Sequence, residues 1–83
     1  MSSIYCNFSK GVSEKRQQEI IKEIDSMIGV YDVRRRNQGY NGPFDFWVYI
    51  APRPWVENQA KRVEEIAREL REIEEIESLI SDL

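Results

Sequence analysis

The chain has 83 residues and a mass of 9.9 kDa, which is the size of one small domain, residues 1–83. It carries 12 Lys and Arg against 15 Asp and Glu, no histidine, and a single cysteine, Cys6. This composition excludes an intrachain disulfide, a histidine-containing zinc site and catalysis by a histidine base. The formal charge of −3 argues against a general nucleic-acid binder, and no apolar run approaches the roughly 20 residues that span a membrane.

A domain this small buries only about 60% of the surface that its unfolded chain exposes, so we expect added support from a second copy, as a homodimer. Residues 1–4 lack the basic and apolar regions of a secretion signal. Together with the single unpaired cysteine, this favours the reducing cytoplasm and predicts no membrane insertion by this chain.

The first third of the chain predicts a strand over residues 4–8 and then a helix. The apolar residues of the strand alternate and share one face: Ile4, Cys6 and Phe8. Ser13 fits the N-cap of the helix, and Gly29 fits the position just after its end. The apolar stripe of the helix comprises Ile20, Ile21, Ile24, Met27 and Ile28.

The middle of the chain predicts a β-hairpin. Residues 30–36 form its first strand, residues 38–43 its Gly- and Pro-containing loop, and residues 44–51 its second strand. Alternation in the second strand places one set of residues on a single face: Phe44, Phe46, Val48 and Ile50. It places another set on the opposite face: Asp45, Trp47 and Tyr49.

A second helix is predicted over residues 56–73. Its apolar stripe comprises Val56, Ala60, Val63, Ile66, Ala67, Leu70 and Ile73. Residues 76–83 fit either a continuation of this helix or a final strand, and we favour the strand because another edge completes the sheet.

The predicted order is β-α-β-β-α-β, the split βαβ arrangement called ferredoxin-like, in the α+β class. Both helices cover one face of a four-stranded antiparallel sheet. The other face carries Tyr5, Tyr31, Trp47 and Tyr49. Contiguous exposed aromatic surface usually marks a contact surface, so Tyr31, Trp47 and Tyr49 are the predicted dimer interface.

An RNA-recognition module is the alternative, because such modules share this topology and stack bases on aromatic residues of the two central strands. Tyr5, Phe44 and Phe46 would then be the stacking residues, and Arg34–Arg36 would contact phosphates. The acidic charge and Asp45, in place of a glycine or alanine, argue against it. A third possibility is a small-ligand or regulatory domain of the same topology.

Metal binding has three candidate ligands, Asp32, Asp45 and Asp82, if neighbouring strands bring them together. Carboxylates alone favour hard ions over tight transition-metal capture. Catalysis has less support, because the sequence has no Gly-rich phosphate loop, no nucleophile elbow and no histidine. We therefore predict that the chain is not an enzyme.

Four segments of the chain follow one another in a distinctive order: GVYDVRRRNQG at residues 29–39, FDFWVYI at 44–50, QAKRV at 59–63 and the closing residues 76–82. In the order and spacing of these segments, the sequence from residue 13 onward resembles the cytoplasmic C-terminal domain of cation diffusion facilitators, the zinc, iron and manganese efflux transporters. Residues 1–12 would be an additional N-terminal strand.

The resemblance implies a ferredoxin-like homodimer that regulates an attached transporter membrane domain through zinc, iron or manganese binding. The metal-binding positions of the family fall on Tyr31, Lys61, Ile80 and Asp82. Asp82 alone is a competent ligand, and Lys61 would place a positive charge beside the cation. The resemblance therefore implies a dimerisation module that has lost most of the family's metal ligands.

Overall fold

The structure, a computed structural model, describes residues 2–37, 39–51 and 59–81. Two helices and four strands follow one another in the order β-α-β-β-α-β, which confirms the predicted ferredoxin-like layout. The elements are β1 Ser2–Phe8, α1 Glu14–Asp25, β2 Val30–Arg35, β3 Phe46–Ile50, α2 Gln59–Arg71 and β4 Ile76–Ser81. The final segment is therefore a strand, as favoured from the sequence.

The sheet has the strand order β2-β3-β1-β4, and every neighbouring pair is antiparallel. β1 and β3 are the central strands, and their register places Tyr5 opposite Trp47 and Cys6 opposite Phe46. Both edge strands contain an irregularity, at residues 30–32 of β2 and where β4 pairs with Phe8. In the regular pairing of β1 with β3, residues that lie opposite each other point to the same face of the sheet.

The core lies between the helices and one face of the sheet. It is almost wholly apolar, and its fully buried side chains come from both helices and both central strands: Ile4, Cys6, Ile20, Ile24, Phe46, Val48, Ile50, Val63 and Leu70. Burial also raises the pKa of the Cys6 thiol to about 12, because a thiolate would lose its hydration there. Cys6 thus acts as a small core residue.

α1 begins as predicted, because the Ser13 hydroxyl accepts the Arg16 backbone N–H at 3.2 Å. It ends earlier than predicted, at Asp25, with Ser26 as its C-cap. Gly29 adopts the expected left-handed conformation, with φ +95°, but in the turn that follows the helix. Ile28 therefore lies outside the helical stripe and is 83% exposed, which corrects its assignment to the buried face.

The described part of α2 buries Val63, Ile66, Ala67 and Leu70, as the stripe predicted, but Ala60 in its first turn is exposed. Val56, which was assigned to the same stripe, lies outside the described residues. Among the residues that the structure describes, neither helix is long and apolar enough to cross a membrane.

The second strand of the hairpin is shorter than predicted and begins at Phe46. Just before it, the Asp45 backbone N–H donates to the Cys6 carbonyl oxygen at 3.0 Å and to Asn7 Oδ1 at 3.1 Å. Phe44 precedes this anchored residue, and its ring lies 5.1 Å from that of Tyr5 rather than in the core. The prediction that Phe44 shares a face with Phe46 is therefore wrong.

Candidate aromatic interface

The sheet face away from the helices is lined by aromatic side chains. Tyr5 alternates with buried neighbours in β1, and Trp47 and Tyr49 do so in β3, so these three residues lie on the side away from the helices. We call this surface the aromatic face. Its members are Tyr5, Tyr31, Tyr40, Phe44, Trp47, Tyr49 and, from β4, the 59% exposed Ile80 opposite Tyr5.

Two residues of the β2–β3 loop cover one end of the aromatic face. Phe44 packs on Tyr5, and the Tyr40 ring lies 4.9 Å from the ring of Trp47. The Arg36 guanidinium lies 5.7 Å from the centre of the Tyr40 ring, within cation–π distance. The chain's own loop thus shields part of the aromatic face, whereas Tyr31, at 66% exposure, stays open to solvent.

The predicted interface residues Tyr31, Trp47 and Tyr49 come together on the aromatic face. The Trp47 indole Nε1–H donates to the Tyr49 hydroxyl at 3.0 Å, which fixes two neighbouring rings of β3. Asp32, chiefly through its hydrogen bond, raises the pKa of Arg34, and the nearby Tyr49 and Tyr31 hydroxyls add to this effect. Arg34 also lies opposite Trp47 in the strand register, so its side chain is on the same face of the sheet.

The aromatic face carries paired charges. Arg34 Nε donates to Asp32 Oδ2 at 2.8 Å, and Arg36 Nη1 lies 3.7 Å from Asp45 Oδ1. Arg35, between them, points to the helix side, where its Nη1 bonds Glu14 Oε1 at 2.6 Å. The arginine triplet thus alternates between the two faces of the sheet and presents no single basic patch.

Asp32 and Asp45, two of the three metal candidates, are occupied by other contacts. Asp32 accepts hydrogen bonds from the Val33 backbone and from Arg34, and the Arg34 bond lowers its pKa. Asp45 Oδ2 accepts the Phe8 backbone N–H at 2.9 Å. Asp32 lies opposite Tyr49 in the strand register. Tyr49 is four residues after Asp45, which is about 13 Å along an extended chain, so Asp32 and Asp45 are not neighbours. Asp82 lies outside the described residues.

Two of the positions that the family resemblance assigns to metal ligands are also separated. Tyr31 lies in β2 and Ile80 in β4, the two outer strands of the sheet, so about 14 Å of sheet divides them. Across the described ranges, no group of three or more Cys, Asp or Glu side chains could hold a metal ion. A single chain therefore keeps Tyr31 and Ile80 apart.

The sequence identified four of the six aromatic residues of the aromatic face and missed two, Tyr40 and Phe44. Both belong to the β2–β3 loop, where alternation does not indicate which side a residue faces. Their proximity to Tyr5 and Trp47 depends on how residues 36–45 fold back over the sheet. The interpretation of the aromatic face rests on this geometry, because comparisons with protein-family models, curated proteins and solved structures found no match to this chain.

Proposed function

We propose that the chain is a non-catalytic self-association module whose aromatic face binds the same face of a second copy. The observation that carries this proposal is the clustering of six aromatic side chains on the sheet side opposite the two described helices. Aromatic side chains bury a large area for little loss of conformational entropy, so they suit a protein interface. A second copy would also supply the apolar burial that so short a chain lacks.

The charges of the aromatic face support pairing with itself. Because each arginine has a carboxylate beside it, as in the Arg34–Asp32 pair, the face has no strong excess of either sign. A two-fold axis places the same patch on both subunits, so each guanidinium can approach a carboxylate of the other copy. The overall negative charge of the chain would then remain on the helix side and the rim.

The regulatory part of the proposal follows from the family resemblance, which stays a prediction. A dimer of such modules would bring together whatever each copy is attached to, for example two transporter membrane domains. Asp82 would be its one remaining metal ligand from the family pattern. We place this activity in the cytoplasm, because Cys6 is an unpaired thiol in the core.

The test is the mass of the full chain in solution, measured by light scattering over a range of concentrations. Ile80→Lys places a charge in the aromatic face at an exposed position, so the monomer should still fold while the dimer dissociates. Tyr31→Ser should weaken the dimer in the same way. Ile28→Lys, at an exposed position outside the aromatic face, is the matched control and should leave the mass unchanged.

A monomeric wild-type chain at every concentration would overturn the proposal, as would a dimer that Ile80→Lys and Tyr31→Ser leave intact. Trp47→Ala is a further variant, but it also removes the bond to Tyr49. Its fold should therefore be checked by circular dichroism before its mass is interpreted.

A second candidate function, binding of single-stranded RNA, is favoured by one observation. Tyr5 and Trp47 lie directly opposite each other on the two central strands, where base-stacking residues of RNA-recognition modules lie. The residue assignment needs correction, because Phe46 is fully buried and cannot stack on a base. The pairing of Arg34 with Asp32 and of Arg36 with Asp45 also leaves less positive charge for phosphates.

Fluorescence anisotropy of labelled single-stranded RNA at low salt separates the two functions. We expect no binding by the wild-type chain. A salt-sensitive signal that Trp47→Ala abolishes and Ile28→Lys preserves would favour RNA binding over self-association.

A further inference from the structure

A groove of about 450 Å³ lies on the helix side of the molecule, between the turn after α1 and the surface of α2. Ser26, Met27 and Ile28 form one wall, and Arg62 and Glu65 contribute to the other. Its volume lies within the range of small-molecule sites, about 300–1,000 Å³. The groove is on the opposite side of the sheet from the aromatic face, so its use is independent of the proposed function.

The apolar part of the groove consists of Met27, Ile28 and Ile66. Ile66 is buried and Met27 is half-buried, whereas Ile28 is the most exposed large hydrophobic residue recorded for the described part of the chain. Ile28 is exposed because α1 stops at Asp25 and the turn carries it away from the core. An apolar group bound in the groove would remove this side chain from water.

Arg62 gives the groove a cation that forms no ion pair with another residue of the described ranges. Its guanidinium lies against the backbone of Gly29, so closely that a Cβ at position 29 would collide with it. The Arg62 Nε atom is buried and has no hydrogen-bond partner. A buried donor without an acceptor is costly, and a carboxylate is the acceptor that best matches a guanidinium.

Two carboxylates follow Arg62 along the same side of α2. Glu65 and Glu69 lie one and two turns further on, about 4.5 Å and 10.5 Å along the helix axis. Neither forms an ion pair with another residue of the described ranges. The C-terminal end of α1, beside Ser26, adds partial negative charge to the same groove. A ligand with only negative charge would meet repulsion here, whereas one that also carries an ammonium group would not.

We propose that this groove binds a free α-amino acid with an apolar side chain, such as leucine, isoleucine or methionine. The ligand's carboxylate accepts hydrogen bonds from Arg62, and its ammonium group lies beside Glu65. The side chain of the ligand packs on Met27, Ile28 and Ile66. The Arg62 cation, the Glu65 carboxylate and the apolar wall of the groove thus each match one part of the same small molecule.

The test is an NMR titration of the full ¹⁵N-labelled chain with L-leucine. We expect saturable shifts of the backbone amides at residues 26–29 and 62–69, with the amides of β3 unchanged. Leucinamide, which lacks the carboxylate, and 4-methylpentanoate, which lacks the ammonium group, should each bind at least about tenfold more weakly. This ligand series uses the unaltered chain, so no loss of folding can imitate the result.

Variants then assign the contact. Arg62→Gln should weaken leucine binding by at least about tenfold. Arg68→Gln is the matched control, because Arg68 pairs with Glu64 at the exposed side of α2 and should leave the affinity unchanged. The proposal is wrong if leucine causes no saturable shift in the millimolar range. It is also wrong if leucinamide binds as well as leucine, or if the shifts fall on the aromatic face.

Discussion

The two faces of the sheet are built from the same strands but differ in what stabilises them. On the helix side, Phe46 and its neighbours are fully buried by side chains from both helices. On the other side, rings contact each other and the β2–β3 loop, as in the pairs Tyr5–Phe44 and Tyr40–Trp47. We therefore expect folding to depend mainly on the helix side of the sheet.

Phe46 and Phe44 provide the sharpest test of this difference, because they are two residues apart and lie on opposite sides. Phe46→Ala should lower the free energy of unfolding by about 3–5 kcal/mol, since it leaves a cavity in a close-packed core. Phe44→Ala should cost about 1 kcal/mol, because it removes one half-buried ring contact with Tyr5. Urea unfolding followed by circular dichroism measures both. Equal losses would show that the two faces stabilise the fold alike.

Leu79 and Ile80 repeat the comparison on the edge strand with a smaller expected effect. Leu79 lies opposite Cys6 and packs against the core, so Leu79→Ala should lower the free energy of unfolding by about 1–2 kcal/mol. Ile80 is 59% exposed on the aromatic face, and Ile80→Ala should cost less than about 0.5 kcal/mol in the monomer. The measurement belongs at a concentration where light scattering shows monomer. A larger loss for Ile80→Ala than for Leu79→Ala would contradict the assignment of the faces.

The sequence predicts this structure well within the regular strands and at the start of the first helix. Alternation placed Tyr5 and Trp47 on the uncovered face because both lie within paired strands, where successive side chains must point to opposite sides. The start of α1 followed from Ser13, because an N-cap depends on a local hydrogen bond. Local geometry is sufficient to predict both the face on which Tyr5 and Trp47 lie and the start of α1.

The failures lie just beyond the ends of elements. Ile28 continued the spacing of a helix that stops at Asp25, and Phe44 continued the alternation of a strand that starts at Phe46. Those ends depend on contacts distant in sequence, such as the bond from the Asp45 backbone to Cys6. The groove at Arg62 was missed for the same reason, because Gly29 and α2 meet only in the folded chain.

Arg35 and Arg34 give the smallest comparison, because each forms a surface ion pair on a different side of the sheet. Arg35 connects β2 to α1 through Glu14 and Gln17, whereas Arg34 bonds Asp32 within the same strand. The contact of Arg34 spans two residues and can form partly in the unfolded chain, so it adds less to folding. We therefore expect Arg35→Gln to lower the urea midpoint more than Arg34→Gln at about pH 7.

The effect of pH separates the Arg35 ion pair from a packing role of the arginine stem. The hydrogen bond from Arg35 holds the pKa of Glu14 below its ordinary value of 4.5. A lowered pKa stabilises the folded state above the ordinary value, and this contribution disappears as the pH falls through the lowered pKa. The difference between wild type and Arg35→Gln should therefore shrink from about pH 7 to about pH 3. A difference that stays constant over this range would mean that the Arg35 stem, rather than its charge, connects α1 to the sheet.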